Sequence, residues 1–225
     1  MAIKLRAVGE EDKEERRHAL LDAVEALFLE HPDRVASVAE VAEAAGLAKG
    51  TVYLYFPSKE EMLLSLHERQ VAHFFAALMK LLDGKARAGF DEVWAVTRDN
   101  LVRAPGYLPL TSRCFGLMDR DMPAAAAIAF KVRVGKALTD AGAALEHHYP
   151  ALGQGEGVTL LQHSYGLIVG LWQLLHPIER FDTAMQRAKL AKFRRDYERE
   201  VEQALRALWT GTMGGDPASS RGGRR

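Results

Sequence analysis

Residues 37–59 read SVAEVAEAAGLAKGTVYLYFPSK, and no other stretch restricts the fold of this chain as much. Ser37 and Glu40 have the spacing of a capping box, so a helix begins there. Val38, Val41, Ala42 and Ala45 give that helix one apolar face. Gly46 can take the positive φ that ends a helix in a sharp turn, and apolar Leu47 pins the turn to a core. A second helix runs from about Lys49 to Phe56, with Pro57 as its stop. Ser58 and Glu61 then form another capping box and launch a long helix through Met62, Leu63, Leu66, Val71, Phe74, Leu78 and Leu82. Upstream, Leu20, Val24, Leu27 and Phe28 make the buried stripe of an amphipathic helix.

Two short helices joined by a tight turn have the local chemistry of a helix-turn-helix, whose second helix enters the DNA major groove. At ~1.5 Å per residue the second helix is roughly 11 Å long, which suits a groove ~12 Å wide. Lys49 can reach a base edge or a phosphate. Gly50 allows close backbone approach, and Thr51, Tyr53 and Tyr55 offer hydroxyls. Lys59, on the first turn of the long helix, is placed to meet a phosphate. Hydroxyls and lysines are the usual groups that position a phosphate backbone. A bare helical hairpin with core-packed tyrosines is the competing reading.

Residues 16–63, through LLDAVEALF and SVAEVAEAAGLAKGTVYLYFPSKEEML, resemble the DNA-binding domain of the TetR family of bacterial repressors. Carried over by position, the resemblance implies that Ser37, Tyr53, Tyr55 and Lys59 hold phosphates and that Ala48, Lys49, Gly50 and Thr51 face bases. Two departures stand out. Position 48 usually carries a hydroxyl, and Ala48 removes that N-cap, worth roughly 1 kcal/mol. His31-Pro32-Asp33-Arg34 replaces the glycine that often follows the first helix.

The expected fold is all-α: a helix-turn-helix domain over residues 1–60, a larger helical ligand-binding and dimerisation domain over 61–210, and a Gly/Ser/Arg-rich disordered tail over 211–225. Hydrophobic residues make up 48% of 225, enough for a real core, and no strand-like alternation persists. A lone cysteine, Cys114, excludes an internal disulfide and suits a reducing cytoplasm. The N-terminus lacks a signal-peptide layout, and the longest apolar run, 165–175, is too short for a bilayer. A cytoplasmic protein without membrane contact is expected. The chain is neutral overall, with 30 basic and 30 acidic residues, and residues 1–67 carry eight basic against thirteen acidic. Such a head does not suit nonspecific DNA coating and does allow a site-specific reader with few phosphate contacts.

Beyond residue 67 the chain carries no specific motif. Helices are expected over about 90–102, 109–118 and 124–149, then 158–176 and 182–209. The 158–176 segment is apolar almost all round, which predicts burial on every side. Gly166 and Gly170 would permit close approach of a partner helix, and Leu190, Phe193, Tyr197, Val201, Leu205 and Leu208 form a seam. Together the two segments suit a four-helix bundle between two subunits. Trp94, Arg98, Phe115, Met118, Phe130 and His163 are candidates for the walls and polar groups of a small-molecule cavity. Catalysis finds no support. The eight histidines include no i, i+4 pair, and no phosphate loop or nucleophile elbow is present. No cofactor or metal is expected. These features point to a homodimeric repressor that binds a near-palindromic operator in double-stranded DNA and is released by a small-molecule effector. The alternative is a DNA-binding scaffold or cell-cycle factor of the same fold, controlled by a protein partner.

Overall fold

The computed structural model describes residues 2–32, 34–84, 88–120, 122–176 and 195–214, with the side chains of 2–11 and 117–120 excluded. Among these residues every regular element is helical: α1 (Ala2–Glu30), α2 (Val38–Ala44), α3 (Lys49–Tyr55), α4 (Lys59–Gly84), α5 (Phe90–Thr97), α6 (Tyr107–Arg120), α7 (Ala124–His148), α8 (Glu156–Leu175) and α9 (Tyr197–Gly214). A π-helical turn, Arg98–Val102, continues α5. None of these helices is long and apolar enough to cross a membrane.

The chain divides into two compact units. One comprises residues 1–71 with 105–132, the other 72–104 with 133–225. In the first unit α1 buries Leu20, Leu21, Val24 and Phe28, and α4 buries Met62, Leu63, Leu64 and Leu66. Arg69 of α4 reaches α1 through Asp22 at 2.6 Å and Glu25 at 2.7 Å. The start of α6 is clamped to the end of α1 at two points. Gly106, at φ +70°, lies where a Cβ would come within 2.8 Å of Leu29 Cδ2. An Arg113 guanidinium nitrogen donates to the Pro32 carbonyl at 2.9 Å.

In the second unit α9 packs on α8 and α5. Val201, Leu205 and Trp209 are buried, and the Trp209 indole donates to Ser164 Oγ at 3.0 Å. Tyr197 reaches the Ile168 carbonyl at 2.9 Å. At the α7–α8 crossing a Cβ on Gly157 would collide with the Gly142 carbonyl oxygen, so these backbones touch directly. Glu146 accepts from the Gly155 and Gly157 amides at 2.8 and 3.0 Å, satisfying donors at the start of α8.

Three expectations need correction. α8 is not buried all round in the single chain. Thr159, Gln162, His163, Gly166, Gly170, Gln173 and Leu174 form an exposed stripe, because its polar residues and glycines fall on one face. The helix over 90–102 is α-helical only to Thr97. The tail begins later than expected, because α9 continues through Gly214 and Thr212 Oγ1 donates to the Leu208 carbonyl at 2.9 Å. The seam residues Leu190 and Phe193, and the tail from 215, lie outside the described residues.

Candidate nucleic-acid interface

The α2–α3 pair is built as its local chemistry requires. The Ser37 hydroxyl accepts from the Glu40 amide at 3.3 Å, and the Ser37 amide donates to Glu40 Oε2 at 2.8 Å. Arg34 pairs with Glu40 at 2.7 Å. The Arg34 guanidinium, followed by the Ser37 amide, holds the Glu40 carboxyl down to about 2, so it is ionised at neutral pH. Gly46 takes φ +65°, and the Leu47 amide returns to the Ala42 carbonyl at 2.9 Å, closing the helix end. Ala48 is the N-cap of α3 and makes no side-chain cap bond.

α3 is anchored from below and open above. Val52 is fully buried and Phe56 nearly so, with the Arg17 guanidinium 5.6 Å from the Phe56 ring centroid. Ala48, Lys49, Gly50 and Tyr53 are exposed, while Thr51 and Tyr55 are half-buried. A Cβ on Gly50 would meet nothing within 4 Å, so the fold itself does not demand glycine there. Lys59 is exposed at the start of α4, with its Nζ 3.7 Å from Glu60. Ser37 is exposed at the N-cap of α2. Its hydroxyl accepts a bond from the backbone and keeps a proton to donate. The eight DNA-contact candidates therefore gather on the α2–α3–α4 segment of one unit.

One residue of this surface escaped the sequence reading. Leu54 is 81% exposed, the most open of the large apolar side chains among the described residues. It sits mid-α3 between Tyr53 and Tyr55, where an apolar residue passes for core. The signal was its phase: two positions from both Val52 and Phe56, it points away from the buried side.

The N-terminal segment matches the family described as "Bacterial regulatory proteins, tetR family" over residues 20–66. The rest matches "Tetracyclin repressor-like, C-terminal domain" over residues 68–215. The chain belongs to the TetR family. Curated relatives include the HTH-type transcriptional regulator EthR of Mycobacterium tuberculosis, 36% identical over 81 residues, or 36% of this chain and 38% of that protein. The Fatty acid metabolism regulator protein of Bacillus subtilis is 33% identical over 69 residues, 31% of this chain and 36% of that protein. The chain thus spans little more than a third of the length of the curated relatives it matches. Among solved structures, the fatty acid degradation regulator FadR from Bacillus halodurans superposes with a TM-score of 0.54 at 18% identity, covering 86% of this chain and 94% of that one. SmeT, the repressor of a Stenotrophomonas maltophilia multidrug efflux pump, gives 0.52 at 20%, covering 87% and 89%. These last likenesses establish the TetR fold.

The six residues expected around an effector cavity do not fall in one unit. Trp94, Arg98 and His163 belong to the second, Phe115 and Phe130 to the first, and the Met118 side chain lies outside the described residues. Trp94 and Phe130 are buried, with Phe130 5.9 Å from the His67 ring. Arg98 is turned onto its neighbour Asp99 at 2.9 Å. His163 and Phe115 are exposed rather than lining an apolar wall. Phe115 follows Cys114, which holds the inward side of α6, so helical phase turns it outward. Among the described residues, no three His, Cys, Asp or Glu side chains come together as a metal site.

Proposed function

We propose that this TetR-family chain is a DNA-binding transcriptional repressor that acts in the cytoplasm as a homodimer. Each subunit lays α3 in the major groove of one half-site of a near-palindromic operator, and a small-molecule effector releases it. One observation carries this reading: α3 buries Val52 while presenting Lys49, Gly50, Tyr53 and Leu54 outward on a helix short enough to enter end-on. Lys49 and Leu54 suit base edges, the latter against a thymine methyl. Ser37, Tyr53, Tyr55 and Lys59 suit phosphates, and Ala48, Gly50 and Thr51 let the backbone approach. The names of the relatives, regulators and repressors, agree with it.

The dimer is proposed on the exposed stripe of α8. Added Cβ atoms at Gly166 and Gly170 meet nothing within 4 Å, so a partner helix has unobstructed access. An effector acts by linkage: it weakens operator binding only as far as it prefers the conformer that does not fit the half-site spacing. Selection of bound fragments from the source genome, followed by footprinting, tests the reading. The expected product is a motif of two inverted half-sites about one helical turn apart or a multiple of it. Recovery of fragments with no shared motif would overturn it.

A further inference from the structure

Two positions on α3 carry residues that the fold itself does not use. Leu54 is 81% exposed, although an apolar side chain of that size ordinarily gains by burial. A Cβ at Gly50 would meet nothing within 4 Å, so alanine, the better helix former, would fit there. Both residues stand two positions from Val52, which is wholly buried beneath them. They are four apart and so share the outer face of the helix, one turn from each other. A helical side chain leans over the turn that precedes it. The Leu54 methyls therefore lean toward Gly50, where no side chain stands in the way.

The result is a small apolar spot within a polar surface. Lys49 and Tyr53 are exposed beside it, and Thr51 and Tyr55 are half-buried at its edges. The spot is continuous with the surface that faces DNA, which decides what covers it. In the major groove the apolar group that base pairs present is the C5-methyl of thymine. The methyl of 5-methylcytosine stands at the same ring position. The two bases differ at C4, where thymine offers an acceptor oxygen and cytosine a donor amino group. Neither Leu54 nor Gly50 has a side-chain donor or acceptor that could tell them apart.

We propose that Gly50 and Leu54 read the pyrimidine 5-methyl group, accepting thymine and 5-methylcytosine alike and disfavouring uracil and cytosine. Methylation of an operator cytosine at that position then strengthens binding. The inference rests on the operator-binding reading above. It gives Gly50 a reason that the fold does not supply: a side chain there would fill the space into which the base methyl enters.

The test uses the full chain and the operator obtained by fragment selection, with each pyrimidine replaced in turn. Two pairs of duplexes are compared at every position: thymine against deoxyuridine, and 5-methylcytosine against cytosine. Within a pair the methyl is the sole difference. At one position in each half-site the methyl is expected to tighten binding about fourfold in both pairs. Leu54→Ala should bring both ratios close to one and leave helix content and Tm as in the native protein, because the side chain it shortens is exposed. Gly50→Ala should do the same from the other side, again with the fold intact. Ratios unchanged in both variants would mean that the methyl is sensed elsewhere and would overturn the pair. A position sensitive to the methyl of thymine and indifferent to that of 5-methylcytosine would also overturn the proposal. A shared operator motif with no methyl-sensitive position would overturn the methyl reader and leave operator binding standing. Selection that returns no shared motif would overturn operator binding, and the methyl reader with it.

Discussion

His67 sits between the rings of Tyr107 and Phe130, and burial takes its pKa from 6.5 to about 4. The unfolded chain takes up this proton near pH 6.5 and the folded chain only near pH 4. Stability is therefore full above pH 6.5 and declines as the pH falls from 6.5 to 4. At 1.36 kcal/mol per pKa unit the loss is about 3 kcal/mol. Urea melts between pH 4 and 7 should show this slope, and His67→Phe should remove most of it. An equal slope in the variant would mean that His67 is not its source. Cys114, pushed up to about 12 by burial, should react with a thiol reagent only after unfolding. Neither environment was legible in the sequence, since burial of a single His or Cys depends on which helix crosses it. The residues of α2 and α3 were legible, because a capping box, a turn glycine and a proline stop act over a few neighbouring positions. Leu54 was missed for the opposite reason: its residue type suggests core, and only its phase against Val52 and Phe56 reveals the surface.

At the scale of elements, the crossing of α7 and α8 depends on two glycines. Gly157→Ala places a methyl against the Gly142 carbonyl, backbone to backbone, where no rotamer change relieves it. Overpacking of this kind costs about 1–3 kcal/mol, which a lowered urea midpoint with an unchanged m-value would register. An unshifted midpoint would show that the crossing has slack. The start of α4 could be read directly from the Ser58 cap. The π-helical turn after Thr97 could not, because apolar spacing over five residues does not separate its pitch from that of an α-helix. There Thr97 Oγ1 donates to the Val93 carbonyl and Asn100 Nδ2 to the Val96 carbonyl, both near 2.9 Å or shorter. The end of α9 was misplaced because Gly211 and Gly214 look like a linker, whereas packing of Trp209 fixes the helix one turn earlier. The division into units was hidden too, since α6 joins the head through long-range contacts of Gly106 and Arg113 that leave no local pattern.

For the whole molecule, two heads on one operator require a dimer. Gly170→Glu on the exposed stripe of α8 should leave helix content intact, because an added side chain there meets nothing in its own chain. If that stripe is the interface, the substitution buries an unpaired charge at a cost of several kcal/mol. Light scattering should then report a monomer at micromolar concentration, with operator affinity lost as the second head is no longer tethered. A folded dimer would remove α8 from the interface. The central claim, that α3 reads bases while Lys59 holds the backbone, is tested most directly on the selected operator and its single-base variants across a salt series. Lys59→Ala should weaken all sites equally and flatten the salt slope by about one unit. Lys49→Ala should relax preference at one operator position by roughly 1–3 kcal/mol. A changed sequence preference in Lys59→Ala, with none in Lys49→Ala, would contradict the docking.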